Sequence, residues 1–131
     1  MPKTIVATGN APAAVGPYSQ AIKAGEMIFC SGQIPLDPRS GELVEGSIAD
    51  QTRRCMLNLQ AVLEAAGSGL DDVVKVTVFL TSIGDYVEFN EAYAEFVAAE
   101  PPARAAIGVS ALPRGAHVEI ECIAQLSGGP S

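Results

Sequence analysis

The chain has little positive charge, few aromatic residues and no tryptophan. These shortages argue against certain partners and limit what the core can be made of. Its 131 residues include 8 Lys or Arg against 15 Asp or Glu, which gives a net charge of −7. Nucleic acids and anionic membranes are bound mainly through Lys and Arg, so neither partner is expected. Aromatic residues make up only 5%. The apolar content is therefore mostly Ala, Val, Ile and Leu, which favours a sheet packed on helices.

Cysteine and histidine are scarce as well. The cysteines are Cys30, Cys55 and Cys122, and His117 is the single histidine. An odd number of cysteines without CxxC spacing argues against a disulfide framework and a zinc site, so we interpret all three as small buried hydrophobic residues. No stretch has the pattern of a signal peptide or the 18 apolar residues of a membrane span. These features predict a cytoplasmic protein without a metal.

Length and periodicity predict one α+β domain over residues 1–131, with residues 127–131 as a flexible tail. The predicted order is β-β-β-α-β-α-β-β, with one mixed sheet and two helices on one face. Strands are expected at 3–8, 18–23, 27–31, 73–81, 104–110 and 117–126, and helices at 48–66 and 86–98. The strand at 73–81 is apolar on much of both faces, and the mean hydropathy is high at +0.25. We therefore expect self-association to cover the sheet face that lacks helices.

Arg104 is a permanent cation in an apolar run, with no acid between it and Glu119. Such a group is costly to bury without an anion. Glu119 and Glu121 alternate onto one face of the last strand. The short turn 112–115 suggests that this strand pairs with the strand of Arg104, which would bring the charges together. From spacing alone, a structural ion pair is the simpler interpretation, and an anionic ligand is the alternative.

Four further residues are individually weak candidates for a binding site. Ser31 and Gly32 end a strand and present a hydroxyl and a bare backbone N–H, but Ser31 has no histidine partner to activate it as a nucleophile. Tyr18 follows the rigid Gly16-Pro17 turn. Asn90 borders the apolar stripe of the second helix. Each has a simple structural explanation, as a turn residue or a solvated side chain.

Taken together, these segments resemble the RidA/YjgF/L-PSP family. Four motifs occur in that family's order, over nearly the whole chain: Gly16-Pro17-Tyr18-Ser19-Gln20-Ala21, Ser31-Gly32-Gln33-Ile34-Pro35, Pro102-Ala103-Arg104 and Glu119-Ile120-Glu121-Cys122-Ile123-Ala124. The resemblance implies a chorismate-mutase-like fold, and a homotrimer whose sheets form a central barrel with clefts between subunits.

The same resemblance implies a cofactor-independent deaminase that hydrolyses reactive enamines and 2-imino acids, such as 2-aminoacrylate, to 2-keto acids and ammonia. Arg104 would hold the substrate carboxylate and Glu119 would position the attacking water. The cleft would be lined by Tyr18 from the neighbouring subunit and by the remaining candidates, which are Ser31, Gly32, Asn90 and the backbone at Ala106.

Two alternatives remain open. One is a non-enzymatic trimer that binds small carboxylates, which would need Arg104 but not Glu119. The other is an endoribonuclease, because part of the family carries that label. The charge of −7 and the absence of a basic patch speak against the second alternative.

Overall fold

Within residues 2–127, which the computed structural model describes, strands and helices follow one another in the predicted order. The strands are β1 Thr4–Val6, β2 Ala21–Ala24, β3 Met27–Gln33, β4 Val73–Leu80, β5 Ala103–Gly108 and β6 Val118–Gln125, and the helices are α1 Ile48–Ala65 and α2 Tyr86–Ala94. Short 3₁₀ turns cover Leu70–Asp72, Ile83–Asp85 and Pro113–Gly115. None of these helices is long and apolar enough to cross a bilayer.

Helix α1 begins and ends as its sequence predicts. The Ser47 hydroxyl accepts a hydrogen bond from the backbone N–H of Asp50 at 3.0 Å, which satisfies one of the unpaired donors at the helix start. Gly67 follows the helix with φ +85°, a left-handed conformation that suits glycine. The inner side of α1 packs on the sheet through a fully buried apolar row: Cys55, Leu59, Val62 and Leu63.

Asp85 and Glu88 have the spacing of a capping pair at the start of α2, but the pair is not formed. Asp85 precedes the helix but makes no side-chain cap hydrogen bond. Glu88 instead accepts a hydrogen bond from the backbone N–H of Ala49, in the first turn of α1, at 3.3 Å. A carboxylate is favoured there because the first N–H groups of a helix have no partners within it. Helix α2 also ends earlier than predicted, because the chain continues in tighter turns. In one of them the backbone N–H of Phe96 donates a hydrogen bond to the Tyr93 carbonyl at 3.0 Å.

The sheet order is β1-β2-β3-β6-β4-β5, and it corrects one prediction. We expected β5 and β6 to pair through the turn between them, but β4 lies between them. Helix α2 connects β4 to β5 as a crossover, which places these two strands in parallel. Strand β6 is antiparallel to β3 on one side and to β4 on the other. Arg104 is therefore in register with Val76 of β4 and not with a residue of β6.

A bulge near the start of β4 corrects the predicted faces of that strand. Val73 pairs with Ala124 and Lys75 pairs with Ile123, so Val74 is an extra residue on β4. Strict alternation along β4 would place Val74 on one face with Val76, Val78 and Leu80, and Val73 on the other. Val74 is instead 39% exposed, and Val73 packs against the core. The alternation predicted for β4 holds from Val76 onward.

The three cysteines are buried and free, as predicted. Cys30 and Cys122 are paired in register across β3 and β6. The hydrogen bond between their thiols and their burial raise the pKa of Cys122, and burial raises that of Cys55. Cys55 and Cys122 therefore contribute to the core as protonated, apolar side chains.

The two faces of the sheet differ. The face under the helices is buried, while the other carries Phe29 and Ile107, which are 46% and 45% exposed, beside Glu119 and Glu121. That self-association covers this open face stays a prediction. Residues 128–131 of the predicted tail lie outside the described residues, and the backbone N–H of Ser127 donates to the Gly67 carbonyl at 3.0 Å.

Candidate functional site

Arg104 lies on β5 with its guanidinium over the side of α2. Its Cζ is 5.0 Å from the ring centroid of Tyr93, 5.5 Å from that of Phe89 and 5.6 Å from that of Tyr86. Its Nη2 also donates a hydrogen bond to the Tyr86 hydroxyl at 2.8 Å. Cation–π attraction and this bond hold the group in place. Among residues 2–127 the only arginine in an ion pair is Arg53, so Arg104 has no acidic partner there.

Asn90 and Ala106 belong to the same region. Asn90 follows Tyr86 by one helical turn, and its hydrogen bond to Tyr86, together with the charge of Arg104, lowers the pKa of that phenol. Ala106 follows Arg104 on the same face of β5 and packs against the core. We call Arg104, Tyr86, Asn90 and Ala106 the arginine half-site. Tyr86 was not identified from the sequence.

Glu119 lies on β6, in a different region. It lines a cavity of about 310 Å³ together with Tyr18, Gly32, Gln33 and Arg114, and with apolar side chains such as Leu36. We call this cavity the glutamate pocket. Its volume is at the lower end of the range for small-molecule sites. Gln33 and Arg114 were not identified from the sequence as site residues.

Gly32 is required where it stands because Glu119 lies against its backbone. Strand β3 holds an extra residue between Cys30 and Gln33, which pair with Cys122 and Ile120 of β6. Gly32 lies within this bulge. A Cβ atom added at Gly32 would lie 2.9 Å from Cδ of Glu119, closer than carbon atoms pack. Glycine therefore allows the carboxylate to take this position.

The surroundings of Glu119 favour its protonated form. Partial burial, and to a smaller extent the negative charge of Glu121, raise the pKa of Glu119 above its ordinary value of 4.5. No cation forms an ion pair with it among residues 2–127. A carboxylate with a raised pKa beside a cavity is suited to accept a proton from water and return it.

This raised pKa predicts a pH-dependent effect on stability. The folded state binds the Glu119 proton more tightly than the unfolded state, so the stability it contributes is complete below the unfolded pKa of 4.5 and is lost as the pH rises through the folded pKa. Glu119→Gln should therefore raise Tm at about pH 7, and the gain should shrink at about pH 4. Calorimetry at both pH values checks this, with the exposed Glu42→Gln as matched control. A lower Tm than wild type at neutral pH would contradict it.

The loop that carries Tyr18 is fixed by two side chains. The buried Gln20 accepts a hydrogen bond from the Thr8 N–H at 2.7 Å and donates one to the Pro12 carbonyl at 2.8 Å. The Ser31 hydroxyl donates to the Ser19 carbonyl at 2.6 Å. Ser31 therefore lies beside the glutamate pocket and anchors its loop, rather than lining the cavity. Gln20 belongs to the first of the four motifs, but nothing in the sequence indicated that its side chain would hold the loop through hydrogen bonds.

The two regions are on opposite faces of one sheet. Residues in register on neighbouring strands share a face, and Arg104 is linked through Val76 to Cys122, on the face under the helices. Glu119 is an odd number of residues from Cys122 and points to the other face. The expected approach of Arg104 to Glu119 within one chain is therefore wrong. The structure brings Tyr18, Gly32 and Glu119 together, and separately Arg104, Asn90 and Ala106.

Comparison with known proteins identifies the family. The model of the family described as "Endoribonuclease L-PSP" matches residues 8–126. A RutC family protein of Pyrococcus horikoshii is 53% identical over 122 residues, 93% of this chain and 97% of that protein. A 2-iminobutanoate/2-iminopropanoate deaminase of Mus musculus is 46% identical, over 93% of this chain and 90% of its own.

The fold agrees with this result. A crystal structure of a Yersinia pestis protein of the conserved Rid protein family superimposes with a TM-score of 0.93 at 47% identity, covering 95% of this chain and 100% of that one. The four sequence motifs, the mixed sheet with its two helices, and these similarities agree, and the chain is therefore a member of the RidA/YjgF/L-PSP family.

Proposed function

We propose that this chain is a cofactor-independent deaminase that hydrolyses 2-imino acids, and the enamines that tautomerise to them, to 2-keto acids and ammonia. The observation that carries the proposal is Arg104, a cation held over three aromatic rings without an acidic partner in the described residues. Relatives named as imine deaminases support it at about 46% identity.

Arg104 binds the substrate carboxylate. A guanidinium presents parallel N–H donors that match the two oxygens of a carboxylate. Because Tyr86 already occupies one donor of Nη2, the group has lost much of its rotational freedom before the ligand arrives. Binding then costs less entropy than it would for a free side chain. The carboxylate is thereby held in one orientation, which fixes the position of the adjacent C=N carbon.

Glu119 supplies the proton transfers. The imine carbon is already electrophilic, so that a positioned water and a base suffice. The Glu119 carboxylate accepts one proton from the water as the water oxygen bonds to that carbon, and it returns this proton to the nitrogen, which has received the C=N π electrons. In the resulting carbinolamine the carboxylate takes the hydroxyl proton and passes it to the nitrogen. The C–N bond then breaks, ammonia leaves, and the electron pair of the former O–H bond forms the keto carbonyl. The raised pKa of Glu119 helps both steps.

The proposed site lies between subunits of a homotrimer. In one chain Arg104 and Glu119 are on opposite faces of the sheet, so one substrate can reach both only if a second chain supplies one of them. Burial of the open face, with its exposed Phe29 and Ile107, would provide the driving force for association. Tyr18 would then arrive with Glu119 from the neighbouring subunit.

The direct test generates 2-iminopropanoate in situ from alanine with an amino-acid oxidase and follows the decay of the imine. The wild-type protein should accelerate this decay in proportion to its concentration, with pyruvate and ammonia released in equal amounts. The Arg53→Gln variant, which alters an exposed ion pair that belongs to neither region, should match the wild type. Imine decay no faster than in buffer would refute the proposal.

Gly32→Ala gives a second test. The added methyl group displaces the Glu119 carboxylate, a flexible side chain that can move away, so we expect a folded protein whose imine hydrolysis falls at least about tenfold. Gly9→Ala is the matched control, since a Cβ at Gly9 meets nothing within 4 Å. Activity equal to wild type in Gly32→Ala would contradict the role of Glu119, provided that its Tm shows the fold to be intact.

A trimer that only binds small carboxylates is the second candidate, because Arg104 would serve it equally well. In that case Glu119→Gln should bind 2-keto acids as the wild type does, and neither should hydrolyse imines. If the wild type hydrolyses imines and Glu119→Gln does not, this second candidate is excluded. The family description suggests ribonuclease activity. Cleavage of single-stranded RNA by the purified protein at physiological salt would demonstrate it.

A further inference from the structure

Arg114 has an unusual backbone conformation. Its φ of 61° and ψ of 15° place it in the left-handed region, and among residues 2–127 it is the only non-glycine residue with positive φ. It lies in the turn between β5 and β6, directly before Gly115, whose φ is 75°. A side chain in this conformation is strained, and such strain often accompanies a functional role.

The strained turn places a cation at the glutamate pocket. Arg114 lines the cavity that also contains Glu119, Tyr18 and Gly32, and it is exposed to solvent. It belongs to none of the ion pairs in the described part of the chain. What distinguishes Arg114 from the other unpaired basic side chains is its place at the cavity that Glu119 lines. Its guanidinium is available to a ligand.

The negative charge of Glu119 indicates what the Arg114 cation could do in this pocket. A partly buried carboxylate repels any anion that enters the same cavity. The carboxylate next to the reacting imine is assigned to Arg104, in the other half of the proposed site, so it does not need Arg114. A second anionic group on the substrate would meet the repulsion of Glu119 unless a cation offset it. Arg114 is placed to do so.

We propose that Arg114 is a specificity-determining residue that binds the second carboxylate of a dianionic substrate. The preferred substrates are then the imines of acidic amino acids, whose products are dicarboxylic 2-keto acids. This inference rests on the proposed function for the reaction itself, but the recognition step stands on the pocket alone and is tested without turnover.

The test uses two five-carbon ligands that differ only at the far end, 2-oxoglutarate with a terminal carboxylate and 2-oxopentanoate with a methyl group. Titration calorimetry at low salt should show that the wild type binds 2-oxoglutarate at least about fivefold more tightly. Arg114→Asn should reduce this preference to less than about twofold, because asparagine accepts the left-handed backbone but carries no charge. Arg114→Lys should keep most of the preference for 2-oxoglutarate, and raised salt should weaken that preference.

One control variant and a kinetic readout test whether the result is specific to Arg114. Arg39→Asn removes an exposed arginine outside the cavity and should leave the preference unchanged. The imines of glutamate and norvaline, formed by an amino-acid oxidase, should show the same shift as a ratio of kcat/KM. An unchanged preference in Arg114→Asn, a wild type that favours 2-oxopentanoate, or no binding of either ligand would overturn the inference. Failure of the proposed function would instead appear as binding with no imine hydrolysed.

Discussion

Replacing Arg104 with methionine is expected to lower kcat/KM for 2-iminopropanoate by about 10²- to 10⁴-fold. Each hydrogen bond to a charged group contributes about 1.5–3 kcal/mol, and the guanidinium offers two to the substrate carboxylate. Methionine keeps the length of the side chain and its contact with the rings of Phe89 and Tyr93, so that the fold should be retained. The measurement is imine decay with the substrate generated in situ.

Two variants show whether geometry or charge is responsible. Arg104→Lys keeps the charge but loses the planar fork and should recover only part of the rate. Arg53→Gln removes an arginine from an exposed ion pair with Asp50 and Glu95 and should be fully active. Equal rates for wild type and Arg104→Met would remove the basis of the proposed function.

The second large effect is the recovery of activity from two inactive variants. Arg104→Met and Glu119→Gln should each be nearly inactive alone, but mixed trimers formed by co-expression should regain about a quarter of the wild-type activity. If each site takes Arg104 from one subunit and Glu119 from the next, random assembly joins two intact residues at one interface in four. The opposite placement of these side chains on one sheet is the basis of this expectation.

The control for that experiment is a mixture of Arg104→Met with a double variant that carries both substitutions. No interface in that mixture can contain an intact Glu119 opposite an intact Arg104, so no activity should return. Native mass spectrometry establishes that mixed assemblies are present. Mixed trimers of the two single variants without recovered activity would show that the residues do not share a site between subunits.

The elements that could be predicted from the sequence were those set by local chemistry. Helix α1 has apolar residues at helical spacing and a serine that caps it, so that its limits follow from positions close in the chain. The motifs around Tyr18, Gly32 and Glu119 were found for a different reason, since they resemble a known family. Their grouping in one cavity is a result of the fold.

What could not be predicted depends on contacts distant in sequence. The turn before β6 suggested pairing with β5, but the crossover through α2 placed β4 between them. Alternation along β4 does not reveal the bulge at Val74, because the extra residue is defined only against β6. Arg114 looked like an ordinary arginine in a turn. The role proposed for it rests on a left-handed backbone and a shared cavity, which spacing does not encode.

The position of β5 has one more consequence. Within residues 2–127 it is the last strand of the sheet and pairs only with β4. In that part of the chain its other side is therefore an open edge beside Arg104, with backbone N–H and C=O groups that no strand pairs with. Such an edge invites pairing with a further strand and is a recognised source of aggregation. It also offers a substrate hydrogen-bonding groups that no substitution of Ala105 or Ala106 would remove, other than proline. Chains kept apart as monomers should therefore be less soluble, and an assembly that covers this edge would serve solubility as well as catalysis.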